Sequence, residues 1–178
     1  MATKTPRRLV IDTSVARAAG TEESMHPTGR RCCEFLTAVK RICHRVVMTP
    51  GLIREWDRNQ SSFARNWRQQ MISRRKYVML DIEPGDSLRD TIGMLQSTEG
   101  EIAKMQKDRV LIEAAIASDS SIVSLDESAR RLFVLASSAM AMLNRIVWVN
   151  PDRDDEQPIH WLKRGAKPDR RRMLGRQV

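Results

Sequence analysis

Arg8-Leu9-Val10-Ile11-Asp12-Thr13-Ser14 is the clearest indication of a fold class in this chain. Three apolar residues, two of them β-branched, are followed at once by an acid, a pattern typical of a strand covered on both faces of a parallel sheet. Ligands of open α/β sheets gather at the carboxyl ends of the strands, so Asp12 is a candidate site residue. Asp12 can equally be the cap of a helix that begins at Ser14, because Asp and Ser are both good helix caps. This stretch alone leaves both interpretations open.

The length and composition predict one water-soluble domain. A chain of 178 residues is enough for one ordinary core, and no apolar run approaches the ~20 residues needed to cross a bilayer. Asp12 and Arg17 would interrupt the apolar core of a signal peptide, and three cysteines argue against a disulfide framework. We therefore expect a cytoplasmic protein with no membrane association.

The charge favours a polyanionic partner. The formal net charge is +9 and the pI is about 10.2, which implies long-range attraction to polyanions, and nucleic acid is the commonest of these in the cytoplasm. Basic ribosomal and membrane-surface proteins share this property, so the charge alone does not specify an activity.

Strand and helix patterns alternate along the chain, which predicts an α/β fold with a parallel central sheet flanked by helices. The predicted strands end near residues 11, 48, 82, 125 and 149. Predicted helices cover residues 14–19, 30–43, 58–76, 87–96 and 127–137, with two more that begin at Pro50 and at Asp108. After Pro151 an acidic turn and a short helix around His160 and Trp161 lead to a basic tail from Lys163 to Arg176, which we expect to be mobile.

Four acids stand out by position, each at a predicted strand end or on the first turns of a predicted helix: Asp12, Glu55, Asp108 and Asp126. Right-handed βαβ units bring those ends to one edge of the sheet. Clustered carboxylates repel and raise one another's pKa, and a hard divalent cation neutralises them best, so oxygen ligands here point to Mg²⁺ or Mn²⁺. Such ions beside a basic surface suit phosphodiester cleavage. The same repulsion predicts that Asp126→Asn stabilises the metal-free protein. For Asp108, the helix dipole alone would also justify an acid.

A basic surface is predicted between Arg58 and Lys76, where six basic residues and no acidic one occur. On a continuous helix Arg65, Arg68 and Arg75 fall on one side, while aromatic residues fall on the other and face the core. This row suits contacts to RNA phosphates. Its alternative is a solvated helix face.

The order of these motifs from Arg8 to Pro151 resembles PIN-domain ribonucleases, a family that includes bacterial toxins and RNA-processing endonucleases. The resemblance implies a three-layer α/β sandwich over residues 1–151, followed by a basic extension over residues 152–178. It also implies a catalytic set of Asp12, Glu55, Asp108 and Asp126, with Mg²⁺ or Mn²⁺ held by the three aspartates. Thr13, Ser14 and Ser124 are then the supporting residues around the metal ligands.

The function implied by this resemblance is hydrolysis of RNA by a metal-activated water. The segment between Glu55 and Asp108 is longer and more basic than in compact toxins, which leaves open whether the chain is a toxin or a processing enzyme. An inhibitory antitoxin-like protein and a second copy of the chain are partners that the resemblance allows. The alternative function is a catalytically inactive PIN module that binds RNA or scaffolds a partner.

Overall fold

A computed structural model of the chain describes residues 5–20, 26–82 and 85–176. Its sheet has five strands: β1 (Arg8–Ile11), β2 (Arg45–Met48), β3 (Tyr77–Met79), β4 (Ser121–Val123) and β5 (Val147–Val149). The strand order is β3-β2-β1-β4-β5, and every strand pairing described is parallel. The central strands are apolar because both of their faces are covered; Leu9, Val10 and Ile11 are fully buried.

Eight α-helices occur within the described ranges. They are α1 (Thr13–Ala18), α2 (Pro27–Arg41), α3 (Pro50–Asn59), α4 (Ser62–Ser73), α5 (Asp86–Gly93), α6 (Glu99–Ile116), α7 (Glu127–Ala136) and α8 (Pro158–Lys163). Helices α1 to α4 pack together beside β1, β2 and β3, and α5 to α7 pack on the opposite face, as right-handed crossovers require. The predicted fold class is confirmed: the chain is a three-layer α/β sandwich with a parallel central sheet. Of the helices described, none is both long and apolar enough to cross a bilayer.

The strand order places a topological switch point between β1 and β4. From β1 the chain continues through β2 to β3 on one side, and it then returns to place β4 against the free edge of β1. The segments that leave β1 and β4 at their carboxyl ends therefore diverge to opposite faces. In open α/β sheets this divergence opens the crevice in which ligands bind.

Two predicted helices have different bounds in the structure. Helix α6 begins at Glu99 and not at Asp108, because Thr98 and Glu101 form a reciprocal capping box at its start. The predicted helix over 58–76 is two helices, because Ser61 caps a new start for α4. Asp108 is thus in the middle of a helix, and the helix-dipole explanation for this acid does not hold.

The segment after Pro151 is packed against the domain, which contradicts the expectation of a mobile tail. Its apolar residues Trp161, Leu162, Ala166 and Leu174 are buried in the common core. The Leu174 amide donates to the Ile146 carbonyl at 2.9 Å, and Met173 forms an antiparallel bridge with Val147 of β5. These contacts cover the outer side of β5 and keep the basic residues of this segment beside the sheet.

Candidate active site

Asp12 lies at the switch point and is held there by two hydroxyl groups. Its Oδ2 accepts hydrogen bonds from Ser14 Oγ at 2.5 Å and from Ser124 Oγ at 2.7 Å. These hydroxyls in turn accept from the backbone amides of Leu125 and Asp126, at 3.1 and 3.0 Å, so their protons are directed at Asp12. Asp12 occupies the N-cap position of α1, but its side chain accepts no hydrogen bond from a backbone amide of the first turn among the described residues. Capping therefore does not explain the acid.

Glu55 is brought close to Asp12 by the residue that follows it. Trp56 is fully buried, and its Nε1 donates to the Ile11 carbonyl at 3.0 Å, which ties α3 to the end of β1. Burial raises the pKa of Glu55, and the charge of Asp12 raises it further, while Lys107 and the Thr13 hydroxyl lower it.

Thr13 follows Asp12 in the sequence and lies near Glu55. Its side chain is buried, and within the described part of the chain its Oγ1 has no partner at regular hydrogen-bond geometry. The same hydroxyl lowers the pKa of Glu55, so its polar neighbour is that carboxylate.

Asp108 reaches the same crevice from α6. Helices α3 and α6 approach closely at Gly51, where an added Cβ would lie 3.4 Å from Val110 Cγ1. Burial raises the pKa of Asp108 to about 6; Lys104 opposes this shift, and the charges of Asp12 and Asp126 add to it. Its Oδ2 is buried and accepts no hydrogen bond from any described residue. The structure thus brings Asp12 and Asp126 within electrostatic reach of Asp108, and it brings Glu55 within reach of Asp12.

Asp126 accepts more hydrogen bonds than the other three acids do in the described part of the chain. Its Oδ1 caps α7 by accepting from the Ala129 amide at 2.8 Å and also accepts from Ser128 Oγ at 2.7 Å. Its Oδ2 accepts from Lys104 Nζ at 2.7 Å. Burial alone would raise the pKa of Asp126, but the hydrogen bonds from Lys104, Ala129 and Ser128 outweigh it and lower the pKa. The folded protein therefore favours the charged carboxylate, and the expected stabilisation by Asp126→Asn is wrong in sign.

Lys104 was missed by sequence reasoning, although it is the cation of this crevice. Its Nζ lies 2.7 Å from Asp126 Oδ2 and 3.7 Å from Asp108 Oδ2, and the hydrogen bond to Asp126 raises its pKa. The capping box at Thr98 and Glu101 was the signal for a helix through this segment. On that helix Lys104 and Asp108 have the i,i+4 spacing of an ion pair.

The oxygen atoms of the crevice are of the kind that bind divalent cations, but their arrangement in the structure does not form a metal site. Carboxylate and hydroxyl oxygens are the ligands that Mg²⁺ and Mn²⁺ prefer, and Asp108 Oδ2 is a buried oxygen with no hydrogen-bond donor. As they stand, however, no three His, Cys, Asp or Glu side chains of the described residues form a group that could hold a metal ion. Lys104 takes the place of a cation between Asp108 and Asp126. Binding of a metal ion by Asp108 and Asp126 would require the Lys104 ammonium to move aside.

The predicted row of arginines is not present. Arg68 is half-buried, and its Nη2 pairs with Asp57 at 2.6 Å. Arg75 lies beyond the end of α4 with a positive φ of 57°, and it precedes β3 at the amino edge of the sheet, opposite to the acids. Of the three predicted arginines, Arg65 is the one that is exposed on α4. The structure therefore does not bring these three side chains together as one surface.

Comparisons with known proteins give no family assignment. No protein-family model matches the chain, and neither a curated protein nor a solved structure does.

Proposed function

We propose that this protein is a metal-dependent endoribonuclease of the PIN type, whose carboxylates at the sheet edge hold Mg²⁺ or Mn²⁺. The observation that supports it most is the raised pKa of Asp108 between Asp12 and Asp126 at the switch point, with Glu55 beside Asp12. Burial and the neighbouring carboxylates raise the pKa of Asp108 to about 6, so in its ionised form this residue destabilises the fold. Perturbed acids in a crevice are a mark of functional sites.

The residues of the crevice have separable roles in this proposal. Asp12, Asp108 and Asp126 would hold the ion, and Ser14 and Ser124 orient the Asp12 carboxylate toward it. The bound ion would lower the pKa of a water and stabilise the negative charge that develops on the phosphate. Glu55 lies beside Asp12, and its raised pKa suits a carboxylate that accepts a proton during the reaction.

The proposal is tested by incubating labelled single-stranded RNA and DNA with the protein in Mn²⁺ and in EDTA. We expect RNA cleavage by the wild type in Mn²⁺ and none in EDTA, and no cleavage by Asp12→Asn under either condition. Asp90→Asn is the matched control, because Asp90 is an exposed aspartate on α5 outside the crevice. Cleavage that persists in EDTA or in Asp12→Asn would contradict the proposed site.

A second candidate function is an RNA-binding module without catalysis, and Lys104 is the observation that favours it. Its ion pairs with Asp126 and Asp108 neutralise the acids without a metal. RNA binding by the wild type with no cleavage in Mn²⁺ would support the module over the nuclease.

A further inference from the structure

A groove of about 1030 Å³ runs along α7 beside the acidic crevice. We call it the C-terminal groove; its walls are α7, the turn at residues 153–157, α8 and residues 167–172. One end is at Glu127, which directly follows Asp126 of the crevice. The other end is at Val134, two turns further along α7, so the groove extends about 10 Å along this helix.

The acidic side chains of the C-terminal groove are all engaged by its own arginines. Glu127 and Glu156 pair with Arg130, at 3.3 and 2.5 Å. In the same way Asp155 pairs with Arg153 at 2.8 Å, and Asp169 pairs with Arg172. Three arginines therefore pair with the four acids that line the groove and compensate three of their four negative charges.

The remaining cations of the groove are exposed and make no ion pair with another residue that the structure describes. They are Arg131, Arg164, Lys167, Arg170 and Arg171. Eight arginines and lysines line the groove against four acids, so the lining keeps a net charge of +4 with His160 neutral. The groove thus presents a cluster of cations available to an anionic ligand.

The contacts that hold the walls of the groove together do not involve the side chains of these exposed cations. Arg130 is 8% exposed and Glu156 is 9% exposed, and Glu156 Oε2 also accepts from the Asn150 amide at 3.0 Å. Trp161 Nε1 donates to the Lys167 carbonyl at 2.9 Å, which holds the far wall through its backbone. The exposed arginines can therefore be replaced without removing a contact that supports the fold.

We propose that the C-terminal groove binds the phosphate backbone of single-stranded RNA as the strand leaves the acidic crevice. The choice of RNA rests on the proposed nuclease function. Four of the five free cations are arginines, whose planar guanidinium groups match phosphate oxygens. The Asp108 side chain is only 18% exposed, so a phosphate has to reach into the crevice, which a flexible single strand does more readily than a duplex.

The test is RNA binding without cleavage, measured in EDTA by fluorescence anisotropy with a labelled single-stranded oligonucleotide. The groove variant replaces Arg131, Arg164, Arg170 and Arg171 with Gln. The matched control replaces four exposed arginines at the amino edge of the sheet with Gln: Arg41, Arg45, Arg74 and Arg75. Both variants lose the same charge, so a general electrostatic effect would weaken them equally.

We expect the groove variant to bind at least about tenfold more weakly at moderate salt, and the control to bind nearly as the wild type does. The dependence of log K on log salt should become shallower by about 2 to 3 in the groove variant, since each lost phosphate contact to a single strand contributes about 0.7. Equal weakening of both variants would overturn the proposal. If the fourfold variant does not fold, Arg131→Gln with Arg164→Gln should give half of this change in slope.

Two further outcomes separate this proposal from others. Wild-type protein that binds through the groove but never cleaves RNA in Mn²⁺ would refute the nuclease and leave the groove assignment intact. A groove variant that binds and cleaves like the wild type would refute the groove assignment alone. Polyglutamate that competes as well as RNA at equal charge would overturn the choice of phosphate in favour of an acidic protein partner.

Discussion

Replacement of Asp108 by Asn should stabilise the metal-free protein at neutral pH. The substitution keeps the size of the side chain and removes a charge that burial and two neighbouring carboxylates disfavour. At pH 7, a carboxyl whose pKa rises from 3.8 to about 6 destabilises the fold by at most about 3 kcal/mol. The Asn amide also needs partners and Lys104 loses a neighbouring charge, so we expect a net gain of about 1 kcal/mol in the free energy of unfolding.

The upward shift of the Asp108 pKa determines how the stability difference between the variant and the wild type changes with pH. The unfolded chain releases the Asp108 proton near pH 3.8, whereas the folded protein keeps it up to about pH 6. The penalty is therefore fully present above pH 6, and it fades as the pH falls from 6 to about 4. The difference in stability between Asp108→Asn and the wild type should follow the same course and disappear near pH 4.

Urea unfolding in EDTA at several pH values between 4 and 7.5 measures this difference. Added Mn²⁺ should reverse the order at pH 7, because the wild type binds the ion in its folded state and the variant has lost a ligand. A variant that is less stable than the wild type at pH 7, by an amount that does not change with pH, would refute the buried-charge argument.

The remaining predictions concern the other contacts of the crevice. In EDTA, Asp126→Ala should lower the free energy of unfolding by about 1 to 2 kcal/mol, because α7 loses its cap and Lys104 loses its closest partner. Ser128→Ala should lower it by less, and an equal loss would contradict the capping role of Asp126. Lys104→Met should enlarge the rise in melting temperature that Mn²⁺ produces, since a competing cation is removed; an unchanged rise in thermal scans would show that Lys104 does not compete. Trp56→Phe should cost about 1 to 3 kcal/mol by leaving the Ile11 carbonyl without its buried donor, which denaturant unfolding measures against the wild type.

The sequence was sufficient for the sheet and for the aspartates that follow two of its strands. Apolar runs bounded by acids are a local pattern, and parallel strands place their carboxyl ends at one edge whatever the details of packing. Asp12 and Asp126 could therefore be predicted to lie near each other. Both aspartates directly follow an apolar strand in the sequence, so the pattern could not distinguish their roles. In the structure the Asp126 side chain caps a helix and that of Asp12 does not.

Lys104 and the true course of α6 show where sequence reasoning was insufficient. The first half of this helix is polar and carries no apolar stripe, so periodicity did not indicate it. With the helix start placed at Asp108, the lysine four residues earlier could not be recognised as its partner. The exposed arginine row failed for a related reason: it depended on a helix that continues to Lys76, whereas α4 ends at Ser73, before Arg75, and Arg68 pairs with Asp57.

Short stretches of the sequence were enough to identify the strands, their parallel arrangement and the acids that follow β1 and β4. These properties follow from local periodicity and from the handedness of the backbone, both of which are present in short stretches of chain. The position of Lys104 between Asp108 and Asp126, and the groove that the C-terminal arginines line, depend on the packing of the whole domain. Burial and the distance between charges set these interactions, and both arise when segments remote in sequence pack together.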